Sequence, residues 1–299
     1  MSLAIEARFE PQVRRGEPLS RHTSWHVGGP ADVWFEPTDR QQLVDFLRAL
    51  PVGTPVLWIG LGSNLPVRDG GVRGVVVSTQ AVLGALQQRG EHEVYAEAGV
   101  PCARIARQCE RWDLGPAAWF AGIPGTLGGA LAMNAGAFGG DTWQHVVGVE
   151  TLDAQGTVRS REPSAYRVGY RHVEPVDPAA AGERFLSATL RFTSHSDAGA
   201  MRDLLERRRQ SQPIGEWSCG SVFTNPPGDH AARLIEATGL KGLRIGGAQV
   251  STKHANFILN TGDASARDIE QLMAHVQQEV TRVHGRTLTP EVRIVGEAA

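Results

Sequence analysis

The chain has 299 residues, a formal net charge of −2 and a hydrophobic share of 41%, enough for about two domains with sizeable cores. The near-neutral balance gives no general attraction to nucleic acid or to an anionic membrane. Cys102, Cys109 and Cys219 make neither a disulfide framework nor a C-x-x-C pair, so no metal site is expected. The first twenty residues carry acids and no apolar core run, which argues against a signal peptide and for the cytoplasm.

Residues 1–20 read as a short amphipathic helix and a loop at Gly16–Pro18. The Gly28-Gly29-Pro30 turn leads into an alternating strand, Ala31–Phe35. Asp39 caps a helix to Leu50 that buries Leu43, Val44, Phe46 and Leu47. Val56–Ile59 and Val75–Ser78 are strands, as is the alternating Glu93–Ala98, and Pro101–Trp112 has helical spacing. Val146–Leu152, Gly156–Ser160 and Phe185–Phe192 read as antiparallel strands with a turn at Asp153–Gly156. A polar break at Ser194–Ala198 marks a domain boundary, followed by a helix at Met201–Arg209. Beyond it lie a helix at Ala231–Thr238 stopped by Gly239, a strand at Ala255–Asn260, and a long helix from Ser265 or Ala266 to His284. The long helix has Ser265 and Asp268 as a capping box and Gly285 as its stop.

The most distinctive stretch is Gly122–Gly140, GIPGTLGGALAMNAGAFGG. No Asp, Glu, Lys or Arg occurs from Leu114 through Gly140, but the glycines and Pro124 rule out a membrane-spanning helix. Bare backbone of this kind lets amide groups approach an anionic or planar ligand, and Asn134 adds donors and acceptors. The alternative is a tightly packed Gly/Ala helix.

Four other stretches carry chemistry-bearing residues. In GLGSNLPVRDGG, Gly60 and Gly62 open like a dinucleotide fingerprint. Leu65 stands at the third glycine position, and Pro66, Asp69, Gly70 and Gly71 forbid the helix that should follow, so the Rossmann reading fails. A strand feeding a Gly-Ser-Asn turn remains, an anion-holding nest or a plain loop. In SCGSVFTNP, Phe223 replaces the last glycine of a nucleophile elbow, which makes Ser221 a poor nucleophile. Its hydroxyl can act as a proton donor only to a strong base such as an enolate, and otherwise it is a turn serine. Arg171, after Tyr170, can hold a carboxylate bidentately or lie on the surface. Glu291 in TPEVR is either tucked inward or solvated, and Lys253 and His254 either line a site or serve the fold.

Together these stretches resemble the UDP-N-acetylenolpyruvoylglucosamine reductase family. The resemblance runs from about Leu19 to Gly296, through HTSWHVGGPAD, GLGSNLPVRDGGVRG, AGIPGTLGGALAMNAGAFGG, GYRH, SCGSVFTNP, GAQVSTKHANFILN and LTPEVRIVG, in that order. It implies an α+β protein. Two α/β subdomains, 1–78 (with the C-terminal tail packed nearby) and 79–195, would form an FAD-binding unit of the vanillyl-alcohol-oxidase (PCMH) type. An α+β substrate domain, 196–299, would follow. It further implies a monomeric cytoplasmic enzyme with no nucleic-acid or membrane partner and no metal. NADPH would reduce FAD, and hydride would then pass to C3 of the enolpyruvyl group of a UDP-N-acetylglucosamine derivative, giving UDP-N-acetylmuramate for peptidoglycan.

By the same resemblance Ser221 donates the proton to C2, while Arg171 and Glu291 stabilise the enolic intermediate, Glu291 through a proton and hence with a raised pKa. FAD is expected on Gly60, Leu61, Gly62, Ser63, Asn64 and Leu65, and on Gly122, Ile123, Gly125, Thr126, Gly129, Ala130 and Asn134, with Ala135 and Gly136 adjoining. The substrate is expected on Tyr170, Asn225, Arg209, Lys253 and His254. Val173 and Thr224 depart from the family pattern, which usually has serine and a basic residue there. Only 50 positions separate Arg171 from Ser221, with no tyrosine after Tyr170, which suits the shorter (type II) form of the family. The alternative is another FAD-dependent oxidase or dehydrogenase on the same scaffold, with His26 or His145 as a flavin tether.

Overall fold

The structure, a computed structural model, describes residues 3–195 and 199–299; the end of the expected break, 196–198, lies outside them. In chain order the first elements are β1 (Val13–Pro18), β2 (Pro30–Phe35), α1 (Arg40–Ala49), β3 (Val56–Ile59), β4 (Val72–Ser78), β5 (Leu86–Arg89), β6 (Glu93–Glu97) and α2 (Cys102–Arg111). Then come β7 (Leu114–Gly115), α3 (Leu127–Met133), β8 (Gly136–Ala137), β9 (Gly140–Asp141), β10 (Val146–Leu152), β11 (Val158–Arg161), β12 (Tyr166–Gly169), β13 (His172–Pro175), β14 (Arg184–Arg191) and β15 (Thr193–Ser194). The last are α4 (Ala200–Ser211), α5 (Ala231–Ala237), β16 (Arg244–Ile245), β17 (Ala248–Val250), β18 (Ile258–Asn260) and α6 (Ala266–His284). Helices and strands mix as the α+β class requires. Among the described residues no helix is long and apolar enough to cross a membrane.

Packing divides the chain into two compact units. The first takes Met1–Arg14, Trp34–Leu61 and Val76–Arg207; the second takes Arg15–Val33, Gly62–Val75 and Arg208–Ala299. A four-stranded sheet has the order β1-β2-β4-β3.

The first unit is built on an antiparallel sheet of order β11-β10-β14-β6-β5. The expected turn between β10 and β11 is held by the Asp153 carboxylate, which accepts from the Gln155 and Thr157 amides at 3.0 and 2.8 Å. The apolar faces of α2 (Ile105, Cys109) and α3 (Leu127, Leu131) bury against Val94, Val149, Ala188 and Leu190 of the sheet strands. Asp39 caps α1 as expected, accepting from the Gln42 amide, and the four apolar residues predicted for its inner face are buried. Phe46 stacks on Phe35 with ring centroids 3.6 Å apart, and Phe9 meets both edge-on.

The second unit packs α5 and α6 with a three-stranded sheet, β16-β17-β18, and with Trp25, Val27, Val222 and Phe223. Helix α6 starts and stops as its sequence dictates. The Ser265–Asp268 capping box is reciprocal, and Gly285 ends the helix at φ +64°.

Two expected elements differ. Residues 7–12 form a 3-10 helix that contains Pro11, and the loop expected at Gly16–Pro18 is the end of β1, which pairs at the edge of the four-stranded sheet. The strand expected at Ala255–Asn260 starts only at Ile258, because Phe257 turns back to bond the His254 carbonyl and Asn256 is engaged elsewhere.

Candidate active site

In the first unit the glycine stretch splits into two jobs. A Cβ on Gly128 would lie 2.9 Å from Ala98 Cβ, so this glycine lets α3 pack closely on the chain after β6. A Cβ on Gly129 would meet nothing within 4 Å, so its backbone faces open space. The close packing weighed in the sequence is thus seen at Gly128, while the adjacent Gly129 leaves its backbone open to a ligand. Gly60 is brought against the start of the cradle, where an added Cβ would sit 2.4 Å from Thr126 Oγ1. Gly60, Thr126, Gly129 and Ala130 thus belong to one unit, and at Gly129 the backbone is open in the way a pyrophosphate or flavin edge needs. Leu61 is exposed, Ile123 is buried, and the Gly125 carbonyl is used by the Cys102 amide at 2.9 Å. A Cβ on Gly122 would meet Ala137 and Phe138 side chains at 2.7 and 2.8 Å.

The cradle ends at Asn134, in the left-handed conformation at φ +46°. There it meets the β12–β13 hairpin, whose two-residue tip is Tyr170–Arg171. Arg171 is itself left-handed, at φ +54°, a conformation costly for a residue with a Cβ. Its guanidinium donates from Nη1 to the Asn134 carbonyl at 3.1 Å and from Nη2 to the Gly136 carbonyl at 2.7 Å. The sequence put Asn134 and Arg171 in separate motifs; the fold joins them. Tyr170 is 58% exposed and lies with its ring centroid 5.0 Å from the Arg171 guanidinium carbon. Val173, in place of the usual serine, packs against the apolar core of this unit. His145 is stacked between Trp119 and Phe192, and its Nδ1 bonds the Arg191 carbonyl. His26, the other candidate tether, lies in the second unit beside Trp217, with ring centroids 4.5 Å apart.

In the second unit the serine loop is an extended segment clamped on both sides. On one side the Glu291 amide donates to the Val222 carbonyl at 2.8 Å and the Thr224 amide to the Thr289 carbonyl at 2.9 Å, around an antiparallel Phe223–Pro290 bridge. Ser221 and Glu291 are therefore near neighbours on paired strands. On the other side the Val222 amide bonds the Asn256 carbonyl, and the Asn256 side chain closes both backbone groups of Phe223. Oδ1 accepts from its amide at 3.0 Å, and Nδ2 donates to its carbonyl at 2.8 Å.

The Gly-Ser-Asn turn joins the same cluster. Asn64 Nδ2 donates to the Glu291 carbonyl at 3.1 Å, and the Asn64 carbonyl accepts from the Arg293 amide at 3.0 Å. Cys219 Sγ lies 3.9 Å from the Gly62 carbonyl, and its amide surroundings include Leu65. Burial pushes this thiol far above its ordinary value, so it stays protonated and inert beside Ser221. Ser63 is half-buried in the turn. Gly60 and Leu61 thus fall in the first unit and Gly62 to Leu65 in the second.

The residues expected to meet the substrate are partly committed to the fold. Asn225 Oδ1 accepts from the Ala231 amide at 3.1 Å, the first residue of α5. Lys253 Nζ donates to the Arg209 carbonyl near the end of α4, while the Arg209 side chain is exposed. His254 has a buried Nδ1 without a hydrogen-bond partner. Burial, and next the charge of Lys241, push its pKa below the ordinary 6.5, which favours the neutral imidazole.

Asn256 is the residue that sequence reasoning passed over for its neighbours Lys253 and His254. A buried asparagine amid Ala255, Phe257 and Ile258 was the available signal, since such a side chain must find partners.

Comparison with known proteins agrees with this geometry. The FAD binding domain family matches residues 31–161, and the UDP-N-acetylenolpyruvoylglucosamine reductase C-terminal domain family matches residues 212–295. The UDP-N-acetylenolpyruvoylglucosamine reductase of Alkalilimnicola ehrlichii is 58% identical over 301 residues, with 99% of each chain covered. That of Methylococcus capsulatus is 56% identical over 286 residues, covering 94% of this chain and 92% of its own. The crystal structure of the UDP-N-acetylenolpyruvylglucosamine reductase from Thermus caldophilus superposes with a TM-score of 0.79 at 30% identity, covering 98% of this chain and 99% of the other. Near end-to-end alignment at identities of this order shows that the chain belongs to the UDP-N-acetylenolpyruvoylglucosamine reductase family.

Proposed function

We propose that Ser221, Arg171 and Glu291 carry the reaction that family membership assigns to this chain. The chain is an FAD-dependent oxidoreductase that uses NADPH to reduce the enolpyruvyl group of UDP-N-acetylglucosamine-enolpyruvate to UDP-N-acetylmuramate, in peptidoglycan precursor synthesis. Bound FAD, once reduced by NADPH, supplies the hydride that reaches C3 of that group. The open backbone at Gly129, beside Ala130 and Thr126, fits the cofactor, and Gly60 to Leu65 with Gly122, Ile123 and Gly125 complete the proposed set.

Hydride arrival leaves enolate character at C2 and on the substrate carboxylate. Arg171 holds that carboxylate and takes up its charge, and Glu291 shares a proton with it. Ser221 gives its hydroxyl proton to C2. A serine hydroxyl is a weak acid, and the transfer is feasible because the acceptor is a strong base. The observation that carries this reading is the pairing of the Ser221 strand with Glu291, fixed by Asn256 and Asn64 within one unit. Tyr170, Asn225, Arg209, Lys253 and His254 are proposed to meet the sugar nucleotide. Residues 1–78 and 79–195 are proposed as the cofactor-binding part and 196–299 as the substrate part of a monomeric cytoplasmic enzyme of the shorter form.

The test separates the two half-reactions. Replacing Ser221→Ala should leave NADPH-driven bleaching of the bound flavin intact and slow its reoxidation by the enolpyruvyl substrate by at least ~10²-fold. Equal loss in both halves would make the serine structural.

A further inference from the structure

We propose that Asn134 is a positioning residue for Arg171, setting where the guanidinium meets the substrate carboxylate; the proposal rests on the role given to Arg171 above. Asn134 is 5% exposed, and all of its polar groups have partners inside the first unit. Its amide bonds the Ala130 carbonyl and ends α3. Its side-chain Oδ1 accepts from the Trp143 amide at 3.0 Å, and Nδ2 donates to the Gly169 carbonyl at 3.0 Å. Its own carbonyl accepts from Arg171 Nη1 at 3.1 Å, beside the 2.7 Å bond from Nη2 to Gly136.

The two-residue tip Tyr170–Arg171, with the Gly169 that leads into it, is therefore held at both ends by one asparagine. The side chain grips the backbone entering the tip, and the backbone grips the side chain leaving it. Neither hold is replaceable by the hairpin alone. The tip has Val168 and Tyr170 exposed, and Arg171 sits in a left-handed conformation that a tip without glycine does not adopt unaided. A guanidinium bonded to the Asn134 and Gly136 carbonyls keeps a fixed plane, which bidentate recognition of a carboxylate demands. These internal partners also explain why an asparagine closes a stretch otherwise made of glycine and small apolar residues.

The test is a double-mutant cycle on the FAD-loaded enzyme. Asn134→Gly deletes both side-chain bonds and keeps the left-handed helix end, which glycine adopts freely. It should slow flavin reoxidation by the enolpyruvyl substrate roughly 10-fold or more, chiefly through the limiting rate, and by a clearly larger factor than it slows reduction by NADPH. In an Arg171→Ala background the same change should cost less than about 2-fold, because the residue acts through the arginine. Asn134→Asp, which keeps the acceptor for Trp143 and loses the donor to Gly169, should show the same coupling and decides the matter if the glycine variant does not fold. Additive losses in the two backgrounds, or equal slowing of both half-reactions, would overturn the proposal. Reoxidation left fast by Arg171→Ala alone would overturn the role of the arginine, and this inference with it.

Discussion

Asn256→Ala is the sharpest probe of how the serine strand is held. The substitution removes Oδ1 and Nδ2 from the amide and carbonyl of Phe223, a residue only 2% exposed, at a position itself 3% exposed. The 289–291 strand cannot take over, because its bonds already go to Val222 and Thr224 on the alternate backbone groups. Each buried group left without a partner costs about 1–3 kcal/mol. The pair therefore costs roughly 2–6 kcal/mol, and water entering the vacated space lowers this toward about 2–4 kcal/mol. Against a total of about 5–15 kcal/mol, that is a large share, and differential scanning of the FAD-loaded protein should show Tm lower by roughly 5–15 °C.

Asn256→Asp sharpens the test, since the carboxylate keeps the acceptor for the Phe223 amide but sets a negative oxygen against the Phe223 carbonyl. Its folded pKa must rise above the unfolded value of about 3.9. The protonated acid can donate to the carbonyl, so the deficit is smallest below that value and grows as pH rises through the folded pKa. A loss under about 1 kcal/mol for the alanine variant, or a deficit for the aspartate variant that is flat in pH, would refute the clamp.

The two jobs assigned to adjacent glycines give a paired prediction. Gly129→Leu should fold normally and purify without its yellow cofactor, whereas Gly128→Leu should lose stability through collision with Ala98 whether or not flavin is present; absorbance and Tm together decide. The neutral imidazole of His254 predicts a pH effect. Its folded pKa lies below 6.5, so the unfolded chain binds the proton more readily and stability falls as pH drops below 6.5. His254→Gln should flatten that part of the stability curve measured by urea melts, and an unchanged slope would show that the ring titrates normally.

What could be read from the sequence follows how local each cause is. Asp39, the Ser265–Asp268 pair, Gly285 and the Asp153 turn each act within a few residues, so their elements appear where the sequence puts them. Gly16–Pro18 reads as a loop because nothing near it signals a strand; in the structure it ends β1, whose partner β2 is reached only in the folded sheet. The β12–β13 hairpin was invisible for a related reason. Its tip is Tyr-Arg where Asn-Gly would announce a turn, and the left-handed arginine is stabilised by carbonyls more than thirty residues earlier. The motifs located the serine, the arginine and the acid, but the supports on which they rest, Asn134 and Asn256, depend on backbone groups that carry no sequence signature.

The second unit is gathered from three stretches of chain separated by residues 34–61 and then by residues 76–207, gaps of 28 and 132 residues. Its contacts are therefore dominated by distant pairings, which close large loops and form slowly. The Asn64 turn must wait, as the polypeptide emerges, for the strand bearing Glu291 before either has its partner. No single cut can excise this unit intact, and a fragment beginning after Arg207 would lack the turn that supports the acid and the tryptophan whose indole bonds Ile258. Dissecting this protein therefore calls for point changes, and deletion of contiguous halves would yield two incomplete cores.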